Sequence, residues 1–274
     1  MSVKKAASGR RSVQVEIEVP GTPEEVWQAI ATGPGISSWF VPTEFEERNG
    51  VPVAVTSHFG AGMDAVASVT EWDPPRRFAA VSEALGPKAP PVATEWIVEA
   101  RSGGTCVVRV VHSLFAENDE WDNQLESFEG GWATFFRILN LYLTHFRGQR
   151  SSAFRVMSVV SEPPSKAWET LTGPLNVAGA TPGQRWRTSA APRLSGVVEP
   201  TGAGVPSHTL LLRVDEPAPG IVSVFAHSGG REVYVGMDFF LYGDGAAAAV
   251  AREEPVWQAW LHERFPPAGN LSGV

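Results

Sequence analysis

Cysteine is nearly absent from this sequence of 274 residues, occurring once, at Cys106. No intrachain disulfide can form, and nothing points to an oxidising compartment. In the strand-like run TCVVRVVH, Cys106 reads as a small buried hydrophobe, because neither a base nor a helix start adjoins it to lower its pKa. Charge is sparse and mostly negative: 19% of residues are charged, the formal net charge is −8 and the pI is about 5.3. That balance excludes nucleic acid or an anionic membrane as the main partner, since both are bound by neutralising phosphate. No apolar run approaches the ~20 residues of a membrane-spanning helix. Metal-ligand spacing is missing as well, for His58, His112, His145, His208, His227 and His262 stand apart from one another. GAGM at residues 60–63 lacks the Lys-Ser/Thr continuation of a phosphate loop and reads as a hairpin turn, and there is no nucleophile elbow. Neither metal nor cofactor is therefore expected.

What the chain does contain, it writes twice. VQVEIEVPGTPEEVWQAIATGP near the start and AFRVMSVVSEPPSKAWETLTGP in the middle share a β-like run, a Pro-marked helix start, a tryptophan and a Thr-Gly-Pro stop. Trp27 and Trp168 lie 168 − 27 = 141 positions apart, and Thr32 and Thr172 lie 172 − 32 = 140 apart. The endings echo too, with Glu129/Glu254, Trp132/Trp257 and Phe135/Trp260 in step. Agreement of this many features implies two copies of one supersecondary unit, with a seam near Gln149 to Ser152.

In the first copy, Val13, Val15, Ile17 and Val19 alternate with polar residues, the period of a half-buried strand. Thr22, Pro23, Glu24 and Glu25 then signal a helix start, and Gly33-Pro34 is the expected stop. About six strands follow. A long helix closes the copy, with Leu125, Phe128, Trp132, Phe135, Phe136, Leu139, Tyr142, Leu143 and Phe146 forming one apolar stripe. Gly130 and Gly131 inside it would each cost about 1 kcal/mol relative to alanine unless another element approaches closely. Alternation in TCVVRVVHSLF turns Arg109 outward and Cys106, Val108, Val110, His112 and Leu114 toward that helix. In VATEWIVEA, Glu95 and Glu99 face water while Trp96 and Val98 face inward. The candidate ligand-binding wall is thus Trp96, His112, Phe128, Trp132 and Phe136, with Trp39, Phe40, Phe59 and Met63 at the mouth.

TPEEVWQAIATGPGISSWF at the start, WDPPRRF after the hairpins and WDNQLESFEGGWATFFRILNLYL at the end occur in an order that resembles the SRPBCC, or START-like, superfamily. Within it, the chain is similar to the branch homologous to the activator of the heat shock protein 90 ATPase. The resemblance implies an α+β chain of tandem helix-grip domains, each a curved antiparallel sheet wrapped around a long C-terminal helix, with an apolar cavity between the two. It covers nearly all of residues 12–149. Over 153–266, PPSKAWETLTGP and EEPVWQAWLHERF match, but WDPPRRF has no counterpart. The expected layout is a flexible tail at 1–11 carrying Lys4, Lys5, Arg10 and Arg11, a first domain at 12–149, a shorter divergent second domain at 152–266, and a tail at 267–274.

The superfamily spans carriers, polyketide cyclases, hydrolases and chaperone cofactors, so membership indicates fold more than function. The expected function is binding of a hydrophobic or aromatic small molecule by the first domain, in the cytoplasm and without a cofactor. One alternative is a cyclase, lyase or hydrolase using His112, at an ordinary pKa near 6.5, as general acid or base. The other, a chaperone-ATPase-activator-like interaction protein, rests on the resemblance alone.

Overall fold

A computed structural model of the chain describes residues 3–6, 9–60, 62, 64–82, 90–115, 122–177, 179–229 and 232–266. The chain divides into two compact units, Met1–Arg150 and Ser151–Val274. Met63 and the tail at 267–274 lie outside the described residues.

The first unit runs β1 (Lys4–Lys5), β2 (Arg10–Pro20), α1 (Pro23–Ile30), α2 (Gly33–Ile36), β3 (Thr43–Arg48), β4 (Val51–His58), β5 (Asp64–Asp73), β6 (Arg77–Ser82), β7 (Val92–Arg101), β8 (Thr105–Phe115) and α3 (Asp122–His145). Its strands form one antiparallel sheet in the order β1-β2-β8-β7-β6-β5-β4-β3. Strands β3 to β8 are a meander of consecutive neighbours, and β2 returns alongside β8, from Pro20 opposite Thr105 to Arg10 opposite Phe115. This pairing corrects the expectation of a free tail at 1–11. Arg10 and Arg11 extend β2, Lys4 and Lys5 pair with Ser12 and Arg11, and Arg11 is buried. The backbone groups of β2 find partners as far as β8 continues, so the strand starts earlier than its valine alternation.

Local chemistry fixes the helices. Thr22 Oγ1 accepts from the Glu25 N–H and Glu25 Oε2 accepts from the Thr22 N–H, a reciprocal cap that starts α1 at Pro23. Arg147, just past α3, donates to the same Glu25 carboxylate at 2.8 Å. The helix ends earlier than Gly33-Pro34, however. Thr32 is extended and caps a new turn, so Gly33 and Pro34 open α2 instead of stopping α1. Glycine is required at Gly35, where a Cβ would sit 1.9 Å from the Gln28 carbonyl oxygen.

The WDPPRRF segment is the β5–β6 hairpin, closed by Arg76 on the Asp73 carboxylate. Its Trp72 and Phe78 rings lie 5.1 and 5.8 Å from Trp27 of α1, tying the helix to the meander. α3 lies across β2 and β8, burying Leu125, Phe136, Leu139, Tyr142 and Leu143 of the expected stripe together with Ile138 and Leu141. Cys106, Val108, Val110, His112 and Leu114 face it, while Arg109 points outward onto Glu16 and Glu99.

The second unit runs β9 (Ser152–Val160), α4 (Pro164–Thr172), β10 (Arg185–Arg187), β11 (Ser195–Glu199), β12 (Thr209–Glu216), β13 (Gly220–Gly229), β14 (Glu232–Leu241) and α5 (Ala246–Arg264). Its sheet order is β10-β11-β12-β13-β14-β9. The opening strand β9 pairs with the last strand β14 as β2 does with β8, and α5 packs on β9 and β14 as α3 packs on β2 and β8. The topology is the same with fewer meander strands. Its interior is filled: Phe154 stacks on Phe239 at 4.2 Å, and Trp257 of α5 lies 5.4 Å from Phe239 with no exposure at all.

Candidate functional site

The first unit is filled differently. Between the inner faces of β3 to β8 and the middle of α3 lies a cavity of about 620 Å³. Its aromatic wall is Phe40, Phe45, Phe59, Phe78, Trp96, Trp132 and Phe135, with Ile36, Val55 and Val92 between them. The space exists because Ala65, Ala67 and Ala80 occupy inward positions of β5 and β6, where larger side chains would reach α3. Its polar groups are the hydroxyls of Ser57, Ser82 and Thr94, the imidazole of His112 and the indole N–H groups of Trp96 and Trp132, while Phe59 and Asp64 are exposed at the rim.

The aromatic rings form one continuous network. Trp132 stacks on Phe40 at 5.1 Å and meets Trp96 edge-on at 4.9 Å, and Trp96 stacks in turn on Phe78 at 5.9 Å. Of the expected wall residues, Phe40, Phe59, Trp96, His112 and Trp132 meet around this cavity. Trp39 and Phe136 do not. Trp39 is fully buried and its indole N–H donates to the Ala29 carbonyl at 2.8 Å, so it faces α1 while its neighbour Phe40 faces the cavity. Phe136 packs behind Trp96 and Trp132, at 5.9 and 5.7 Å. The backbone of Phe128 is helical within α3, but its side chain, like Met63, lies outside the described residues. Gly131 borders the cavity with nothing within 4 Å of where its Cβ would stand, so no close approach explains that glycine.

Ala65, Ala67, Phe78, Ala80, Val92 and Thr94 were not expected from the sequence. Their signal is the two-residue period of β5, β6 and β7, which fixes a shared inward face once Trp96 is known to point in.

His112 is held on both sides. Its Nδ1 lies 2.9 Å from Thr94 Oγ1, and its Nε2 accepts the indole N–H of Trp132. Burial disfavours the imidazolium and lowers its pKa from 6.5 to about 4, which corrects the expectation of an ordinary value. Because the folded pKa is depressed, the stability linked to His112 is complete above pH 6.5 and is lost as pH falls toward 4, where the unfolded chain binds a proton that the native state refuses. The loss should reach about 3 kcal/mol. Urea melts at pH 7 and pH 4.5 should therefore show a distinctly smaller acid-induced loss for His112→Gln than for the wild type. Equal losses would contradict the assignment.

An antiparallel sheet gripping a long helix across an apolar hollow defines a helix-grip domain. Residues 20–144, which lie within the first unit, match the family described as Activator of Hsp90 ATPase homolog 1-like protein. Among solved structures, the di-domain ARO/CYC BexL is 15% identical, matching 93% of this chain and 99% of its own, with a TM-score of 0.46. DynU16, from the dynemicin biosynthetic locus, is 20% identical over 93% of each chain, with a TM-score of 0.42. Aha1 from Colwellia psychrerythraea is 19% identical, matching 50% of this chain and 98% of its own, with a TM-score of 0.39. No curated protein matches the sequence. Among the described residues, no helix is long and apolar enough to cross a membrane.

Proposed function

We propose that the first unit binds a planar, largely apolar small molecule in this cavity. The observation that carries the proposal is the hollow itself: about 620 Å³, within the range of small-molecule sites, with aromatic walls and few polar groups. His112 favours binding over catalysis. A base needs a free lone pair and a pKa near the working pH, whereas Nε2 is engaged by Trp132 and the pKa is near 4. The ligand would require no cofactor.

Fluorene, a rigid three-ring hydrocarbon, is a suitable probe. Equilibrium dialysis against the purified protein should give saturable binding with a Kd in the micromolar range, about −8 kcal/mol. Absence of saturable binding would contradict the proposal.

A further inference from the structure

The hydrogen-bond directions in the wall deepen that proposal, on which this inference rests. The indole N–H of Trp132 can donate and cannot accept, so Nε2 of His112, which receives it, is the bare ring nitrogen. A neutral imidazole then carries its hydrogen on Nδ1, and that N–H donates to Thr94 Oγ1 at 2.9 Å. The Thr94 oxygen is thereby an acceptor. Its own hydrogen must point elsewhere, and among the described residues the hydroxyl makes no second hydrogen bond.

The other two wall hydroxyls are committed. Thr43 Oγ1 donates to the Val41 carbonyl at 2.9 Å, so Ser57 must donate to Thr43 across their 3.2 Å contact. Ser82 donates to the Val92 carbonyl at 3.3 Å. Asp64, at the rim, is a carboxylate that accepts, and it lies 2.9 Å from His58 Nδ1. Thr94, on β7 between Val92 and Trp96, is thus the wall hydroxyl with a hydrogen to offer among the described residues.

We infer that the cavity selects planar ligands bearing a hydrogen-bond acceptor, such as a ketone or quinone oxygen, and that Thr94 reads that oxygen while Trp132 and His112 fix the direction in which Thr94 donates. A hydrocarbon would seal the hydroxyl away from water with no partner. A carbonyl oxygen satisfies it, and such differences in pairing are what sites use to discriminate.

Fluorene and 9-fluorenone share a skeleton and differ by one carbonyl. The wild type should bind 9-fluorenone about tenfold more tightly than fluorene. Thr94→Val, which keeps the shape and removes the hydroxyl, should abolish the difference between the two probes, in part by strengthening fluorene binding as the unpaired donor disappears, and Thr94→Ser should keep the preference. A wild-type ratio near one, or a ratio unchanged in Thr94→Val, overturns the inference while leaving the cavity as a binding site. If neither probe binds the wild type, the proposed function fails and this inference with it. An independent reading comes from the imidazole nitrogen chemical shifts of ligand-free wild-type protein. They should show His112 protonated at Nδ1 and bare at Nε2, and the opposite tautomer would overturn the inference even if Thr94→Val does not fold.

Discussion

Trp132→Ala should weaken fluorene binding by at least about tenfold while costing only about 2 kcal/mol of stability, measured by equilibrium dialysis and urea melts on the same preparation. The asymmetry follows from where the indole stands. It packs against Phe40, Trp96, His112 and Phe136, and it also borders a hollow that already lacks contacts. Truncation therefore enlarges an existing space instead of opening a new one, and water in the enlarged hollow can replace the indole as donor to His112. The ligand, by contrast, loses a stacking surface in the middle of its site. A stability loss of 4 kcal/mol or more with unchanged probe binding would mean that Trp132 is ordinary core.

Its counterpart in the second unit should behave in the opposite way. Trp257→Ala should cost about 3 to 5 kcal/mol, the range for removing a large aromatic from a closed core, and should leave fluorene affinity unchanged. Trp257 is wholly buried against Phe239 and Trp260, so nothing can relax cheaply into the space it vacates. Its indole N–H is buried and meets no acceptor among the described residues. Trp257→Phe should consequently cost far less than Trp257→Ala, because phenylalanine keeps most of the apolar contact and sheds the unpaired donor. Urea melts of both variants check this, and equal losses would contradict it. Together the two tryptophans express how the repeated unit has diverged. They fall in step in the sequence, yet one borders a cavity and the other fills its core.

Much of this was legible before any coordinates. Alternation placed Arg109 outward and His112 inward, and the helical period placed Trp132 toward the sheet, because both rest on local geometry that tertiary packing reinforced. Errors arose where packing decided between chemically similar neighbours. Trp39 and Phe40 are adjacent aromatics, and the hydrogen bond from Trp39 to Ala29, which turns one of them into the core, leaves no pattern in the sequence. Phe136 follows the same stripe as Trp132, and how deeply each sits depends on the curvature of the sheet. The hollow itself was legible only as a consequence of the resemblance, since it depends on three alanines on neighbouring strands whose register the sequence does not state. The depressed pKa of His112 was likewise invisible, because it comes from burial.

The central claim, that the first unit holds a small molecule between its sheet and its long helix, is tested most directly by a crystal structure of the wild-type protein with fluorene bound. The claim predicts electron density for the rings between β7 and α3, against Phe40, Trp96 and Trp132 and beside Thr94. Side chains collapsed into that space, or fluorene bound elsewhere with the space empty, would contradict it.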